Sequence, residues 1–147
     1  MSPEQAALWR AFYRTGGLSQ RVFSTVIAKH MTIKTYDALT VLDTDNFFFI
    51  LYKGTAQIAV SDEGVMTHTR KVTSGQMFDV KKLDLLHFVE HFNGTHVDVT
   101  SITPVTVFAF HADEISAVAY HPKCVSVWQQ LLVENLSQVA LVQSMMR

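Results

Sequence analysis

One cysteine, Cys124, and three prolines are all that 147 residues contain of either type. A lone thiol closes no disulfide framework and makes no thiolate metal site, which favours a reducing, intracellular setting. Charge is scarce as well: 17% of residues are Asp, Glu, Lys or Arg, against ~25% in ordinary soluble domains. The formal net charge is −1, so no global field favours nucleic acid or an anionic membrane. No run of 18 apolar residues occurs, so no helix is expected to span a bilayer. G-x-S-x-G, the P-loop and G-x-G-x-x-G are all absent, which removes nucleophile-elbow hydrolysis, P-loop phosphate transfer and dinucleotide binding.

What is present is apolar. Hydrophobic residues make up 48% of the chain and ten are Phe. So few charges cover a surface poorly, which points to a protein partner. The charge is also uneven. Between Met1 and Tyr36 the one acid is Glu4, against Arg10, Arg14, Arg21, Lys29 and Lys34. That pattern reads as a basic helix pair beside an acidic sheet domain, or as an acid-poor mitochondrial targeting segment. Cytoplasmic and mitochondrial settings both remain open.

The length suits one domain with its own core, and no repeat or linker divides residues 1–147. Residues 1–31 are expected to be helical. Ser2 is an N-cap, Pro3 occupies the first helical position and Gly16-Gly17 is the stop. A second helix runs from Ser19 to about His30, with Val22, Phe23, Val26 and Ile27 on one face. Residues 32–110 change period to two. "TIKTY", "LTVL", "FFFILY", "TAQIAVS", "VMTHTRKV", "THVDVTSIT" and "VTVFAF" read as strands, punctuated at Asp43–Asn46, Lys53-Gly54, Asp62–Gly64 and Pro104. A helix over 81–92 is inserted among them, and residues 112–147 form two closing helices, Ala112–Tyr120 and Lys123 onward. The expected class is α+β: a small antiparallel β-barrel of the jelly-roll (double-stranded β-helix) kind, flanked by N-terminal helices and two closing C-terminal ones.

Several stretches in this order resemble the cyclic-nucleotide-binding domain. "FFFILYKGTAQIAV" is similar to its aromatic-x-Ile-x-x-x-Gly-x-x-x-Ile/Val strand pair. "LSQRVFSTVIAKHMTIKTY" looks like the preceding helix and first strand, and "VTSGQMFD" like the Gly-x-x-Phe turn into the phosphate-binding cassette. "VTVFAFHADEISAVAYHPKCVSVWQQLLVENL" looks like the last strand and lid helices. Together these cover about Leu18 to Leu141. In the family a Gly-Glu pair follows the Phe, and an Arg-Thr/Ser-Ala triplet holds the cyclic phosphate. Here Phe78 is followed by Asp79, Val80 and Lys81, and no Arg stands near Thr95-His96-Val97. The Popeye domain, a divergent branch, also lacks that Arg. Its Phe-x-Asp-Ser-Pro-Glu and Phe-Gln-Val-Thr stretches are matched here at Asp79 and at Val99-Thr100, while Lys82 takes the place of the Glu. The resemblance therefore implies a barrel fold and a cAMP pocket at Gly75, Phe78, Asp79, Val99 and Thr100. It leaves that pocket without its phosphate cation.

His87, Glu90 and His91 spell H-x-x-E-H, the inverzincin pattern. On the expected helix Leu85, Phe88, Val89 and Phe92 make an apolar stripe, while Asp84, His87 and His91 share the opposite face. Two imidazoles at i, i+4 can hold zinc, with His96 or Asp84 as a third ligand. Hydrolysis would further require an open coordination position and a base that is not a ligand. A solvated helix face is preferred, and no metal is assigned. The cupin alternative fails because the chain has no His-x-His, and His68, His111 and His121 are scattered. Cys124 sits early in a closing helix, where a dipole lowers a thiol pKa and an apolar core raises it. The core reading is preferred.

From Cys124 to Met146 the only charge is Glu134. Val125, Trp128, Leu132, Val139, Val142 and Met146 follow a 3-4 spacing, and Leu131, Leu136, Leu141 and Met145 form a second apolar side. Packing on the barrel accounts for one side. The other is expected to meet another chain, in a homo- or hetero-oligomer. The reading is a non-catalytic accessory or scaffolding subunit with no cofactor. Its rivals are a Popeye-like cAMP sensor and, more remotely, a zinc hydrolase through His87, Glu90 and His91.

Overall fold

The computed structural model describes residues 1–62, 65–72, 77–78 and 95–130, with side chains at 1–59, 69, 71 and 98–130. Helix α1 spans Pro3–Gly16. Ser2 caps it reciprocally with Gln5, and Gly17 ends it in the left-handed conformation at φ 71°. The second helical segment begins at the Ser19 cap as α2, Gln20–Val22, widens into a π-turn over Phe23–Ile27, and tightens to a 3₁₀ turn over Ala28–His30. Phe23 and Ile27 are buried and Val22 and Val26 pack beside them, so the stripe expected from the sequence holds through the change of winding.

Seven strands follow: β1 Met31–Tyr36, β2 Phe47–Lys53, β3 Ala56–Asp62, β4 Val65–Val72, β5 Met77–Phe78, β6 Thr95–Ser101 and β7 Val105–His111. They form two antiparallel sheets, a four-stranded one in the order β1-β7-β2-β5 and a three-stranded one in the order β4-β3-β6. Among the described residues the two ladders share no strand. "LTVL" is reduced to one isolated bridge, Val41 to Thr100, though Leu42 N–H still donates to Val99 O at 2.8 Å and Ser101 N–H to Thr40 O at 2.9 Å. The segment hangs on the β6 edge without becoming a full strand. Helix α3 is Ile115–Ala119, shorter than expected because residues 112–114 form a turn, and residues 125–130 are again helical. The expected helix 81–92, with His87, Glu90 and His91, and the chain beyond residue 130 lie outside the described residues.

The central strands of the four-stranded sheet, β2 and β7, are buried on both faces. On one, Phe48, Ile50, Phe108 and Phe110 join Leu8, Phe12, Phe23, Ile27, Ile115, Val118 and Trp128 in one cluster with the helices. On the other, Phe49, Leu51, Val105, Val107 and Ala109 meet Leu42, Ala56 and Val99 of the three-stranded side. Two facing sheets stand ~10 Å apart, so one layer of side chains fills the gap.

Turns hold the two sheets together at one end. Gly54, at φ 94°, turns β2 into β3, and a Cβ there would run into Pro104 O and lie 2.9 Å from Val105 Cγ1. Thr55 N–H donates to Thr103 Oγ1 at 2.9 Å, and Ile102 N–H donates to Thr55 O at 2.9 Å. The β2–β3 and β6–β7 turns are thereby stapled to one another. Gly54 is required both by its left-handed backbone and by this close approach.

Candidate functional site

Alternation along paired strands assigns each residue to a face. On the four-stranded sheet, Thr32, Lys34 and Tyr36 of β1 stand opposite Ala109, Val107 and Val105. Phe47, Phe49 and Leu51 of β2 stand opposite His111, Ala109 and Val107. Phe78 pairs with Phe49. The β1, β2 and β7 positions among these belong to the inward face, between the sheets. On the other sheet Ile58 pairs with Val99, and Ala56 with Ser101.

This register separates two residues the sequence reading joins. Val99 is 1% exposed and belongs to the inter-sheet core. Thr100, its neighbour on the same strand, is half-buried on the opposite face and bridges Val41. Adjacent residues of one strand present opposite faces, so Val99 and Thr100 do not face the inter-sheet space together. The backbone of Phe78 pairs with that of Phe49. Gly75 and Asp79 lie outside the described residues.

The inward side chains are largely aliphatic and aromatic. Tyr36 meets Phe49 edge-on at 6.4 Å, and Phe47 lies 5.9 Å from Phe49 and 5.3 Å from His111. Burial, with the nearby Asp43 carboxylate adding to it, pushes the Tyr36 phenol above its ordinary value, because both disfavour the phenolate. Lys34 places its ammonium 3.7 Å over the Phe47 ring, a contact that pairs a cation with the negative face of the ring.

Ser101, which the sequence reading does not single out, is the buried polar side chain among the described residues. Its hydroxyl donates to Asp37 O at 2.6 Å and lies 3.3 Å from Thr40 O, while it accepts from Thr40 N–H at 2.9 Å. It clips the β1–β2 connection onto β6 and is no nucleophile. A Ser following a Thr in a strand carries no sequence signal for such a role.

The helical layer settles two further residues. Trp128 is fully buried, with Phe12, Phe48 and Phe110 at 5.4, 5.8 and 5.8 Å, all edge-on. It was placed on the partner-facing stripe by its spacing, and that placement is corrected: the indole fills this chain's own core and is unavailable to a partner. Its N–H has no hydrogen-bond acceptor among the described residues. Val125 is half-buried, and Leu132, Val139, Val142 and Met146 lie outside the described residues. Cys124 is buried, and burial pushes its thiol above the ordinary range, so the core effect outweighs any helix-dipole effect. Among the described residues no three His, Cys, Asp or Glu are grouped to hold a metal, and no helix is long and apolar enough to cross a membrane.

Two facing antiparallel sheets, a helical layer over one of them and a closing helix pair after the last strand have known counterparts. The catabolite activator protein of Thermus thermophilus superposes with a TM-score of 0.61 at 13% identity, over 89% of this chain and 60% of that one. The fold is that of the cyclic-nucleotide-binding domain. A Geobacter metallireducens protein assigned to the cyclic-nucleotide-binding proteins matches along nearly its whole length, with a TM-score of 0.60, 15% identity, and 97% and 98% of the two chains covered. The regulatory subunit of a cAMP-independent protein kinase A from Trypanosoma brucei matches with a TM-score of 0.58 at 12% identity, over 86% of this chain and 46% of its own. At these identities the likeness is one of fold. The chain thus spans little more than half the length of the Thermus protein and less than half of the kinase subunit. No family model matches it, and no curated relative does. The Popeye resemblance rests on the sequence motifs alone.

Proposed function

We propose that this chain is a non-catalytic accessory module of a larger protein assembly, built on the cyclic-nucleotide-binding-domain fold and joined to its partner through the C-terminal helix. The observation that supports this most is the way residues 124–130 are divided. Cys124, Val127 and Trp128 are buried against the sheet and α1, while Ser126, Gln129 and Gln130 are exposed. One helix face is therefore already satisfied by this chain. Beyond Gln130 the sequence stays rich in apolar residues, Leu131, Leu132, Leu136, Val139 and Val142 among them, with the single acid Glu134. An apolar second side of that extent calls for a covering surface.

The test is the native mass of the full chain, taken both from its source cells and after purification. The wild type is expected to migrate in a species larger than the monomer. Val139→Asp with Val142→Asp is expected to release a folded monomer with an unchanged melting profile. A wild-type chain that is monomeric in both settings at micromolar concentration overturns the proposal.

A further inference from the structure

Two large apolar side chains, Leu39 and Val41, stand 80% and 65% exposed in the connection between β1 and β2. The segment that carries them is held in place. Leu39 N–H donates to Ser101 O at 2.7 Å, Ser101 N–H to Thr40 O at 2.9 Å and Leu42 N–H to Val99 O at 2.8 Å, so it is pinned along β6. Leu39 is also the one non-glycine residue at positive φ, 64°, among the described residues. A bulky side chain is disfavoured there, where Gly or Asn fits better. Neither the backbone nor the core of this chain therefore calls for leucine at that place. The stretch from Asp37 to Tyr52 that flanks the pair carries Asp37, Asp43 and Asp45 and no Lys or Arg, and all three acids are exposed. An apolar centre with charged surroundings is the anatomy of a contact surface.

The complementary surface is on the same chain. Residues 5–36 contain no acid and hold Arg10, Arg14, Arg21, Lys29 and Lys34. On α1, Leu8 and Phe12 are buried, and Arg10 stands about 200° round the helix from Leu8 at ~100° per residue. Arg10, Tyr13 and Arg14 are exposed, Tyr13 with 55% of its surface in water and its ring held 5.5 Å from that of Trp9. Arg14 lies in the last turn, where the helix dipole favours a cation. Arg10, one turn earlier, adds a like charge at i, i+4, which is locally unfavourable. The ion pairs among the described residues join His30 to Glu114 and His111 to Asp113, and neither involves these arginines. The basic and acidic surfaces are kept apart within one chain: Leu8 and Phe12 pack on the helical side of the four-stranded sheet, Leu42 on its inter-sheet side. We propose that the Arg10–Tyr13–Arg14 face of α1 receives the Leu39–Val41 segment of a second copy, with Asp37 and Asp45 meeting the arginines. Such a contact joins unlike faces, so each copy keeps one face free and assembly is open-ended. Surface ion pairs each contribute little, so the pairing is weak and grows with concentration. It is independent of the accessory-module reading, since the C-terminal helix takes no part.

The test is sedimentation velocity of the full chain from micromolar to submillimolar concentration. In low salt the wild type is expected to grow beyond its micromolar size, and high salt to reverse the growth. Arg10→Glu with Arg14→Glu makes both faces acidic, and Asp37→Lys with Asp45→Lys makes both basic. Each variant is expected to lose the growth alone, and an equimolar mixture to regain it, because each then meets its complement. Leu39→Asn suits the positive φ, so it is expected to melt no lower than wild type while weakening the association about fivefold or more. In Val139→Asp with Val142→Asp the growth is expected to persist, which separates this contact from the one at the C-terminal helix; its loss there overturns the assignment. A wild type whose size ignores concentration overturns it, as does either charge variant growing alone, or a mixture that stays small while both variants melt like wild type. Leu39→Asn associating as tightly as wild type overturns it too. Binding of a non-associating wild type to vesicles of anionic phospholipid, lost in Arg10→Glu with Arg14→Glu, overturns it in favour of a lipid surface.

Discussion

The central strands of the four-stranded sheet, β2 and β7, are buried on both faces, whereas the described outer-face residues of the three-stranded sheet are exposed or half-buried. β2 and β7 alternate between two cores, with Phe48, Ile50, Phe108 and Phe110 in the helical one and Phe49, Leu51, Val107 and Ala109 in the inter-sheet one. Their sequences are accordingly unbroken apolar runs, "FFFILY" and "VTVFAF", as strands buried on both sides require. β3, β4 and β6 keep Gln57, Thr69, Lys71, Asp98 and Thr100 on an outer face that is exposed or half-buried. The difference assigns roles. One sheet is a structural wall on which the helices are mounted, while the other keeps polar residues on its outer face.

Substitutions sharpen that contrast. Phe110→Ala, at the junction of the helical core with Trp128, should cost about 3–5 kcal/mol in denaturant melts, the largest loss of the set. Gly54→Ala should cost about 2 kcal/mol or more, since it combines a left-handed backbone with a collision at Pro104 O. A melting temperature equal to wild type would show that the turn is not under this constraint. Ser101→Ala strips the clip from Asp37 and Thr40 and should cost about 1–3 kcal/mol. Limited proteolysis near residues 37–42 should accelerate with it. Gln57→Thr, on the outer face of the three-stranded sheet, should stay within about 0.5 kcal/mol of wild type. A loss above ~1 kcal/mol there would mean that this face is covered too, and the contrast between the sheets would fall.

The weakest effect is one of pH. The Cys124 thiol has its folded pKa raised by burial, so the folded chain retains a proton that the unfolded chain releases above about pH 8.5. Its contribution is complete below that pH and is lost as pH climbs through the folded pKa. Stability should therefore decline on the alkaline side, with Tyr36 adding a second decline above about pH 10. Cys124→Ala should remove the onset near 8.5 and leave the later one. Alkylation of Cys124 should be slow in native chains and fast in denaturant.

How much could be read from the sequence follows the same division. The cap at Ser2, the stop at Gly17, the strand "VMTHTRKV" at Val65–Val72 and the two all-apolar strands are set by local rules: capping hydrogen bonds, glycine at positive φ, and side-chain period. Those rules act over a few residues, and the sequence displays them directly. The site was less legible. Val99 and Thr100 are adjacent in sequence and match one motif, yet the pleat sends them to opposite faces. Trp128 fits an interface spacing and a core spacing equally well, because a helix stripe does not say what covers it.

By itself the sequence determined the order of the elements, the absence of a disulfide framework and the apolar character of the closing helix, since each depends on residue type and spacing alone. Tertiary structure decided which face each strand residue occupies, that the thiol of Cys124 is sealed, and that Trp128 belongs to this chain's own core. Those outcomes depend on pairings between residues far apart in the chain, such as Ile58 with Arg70 and Val99, which no local pattern encodes.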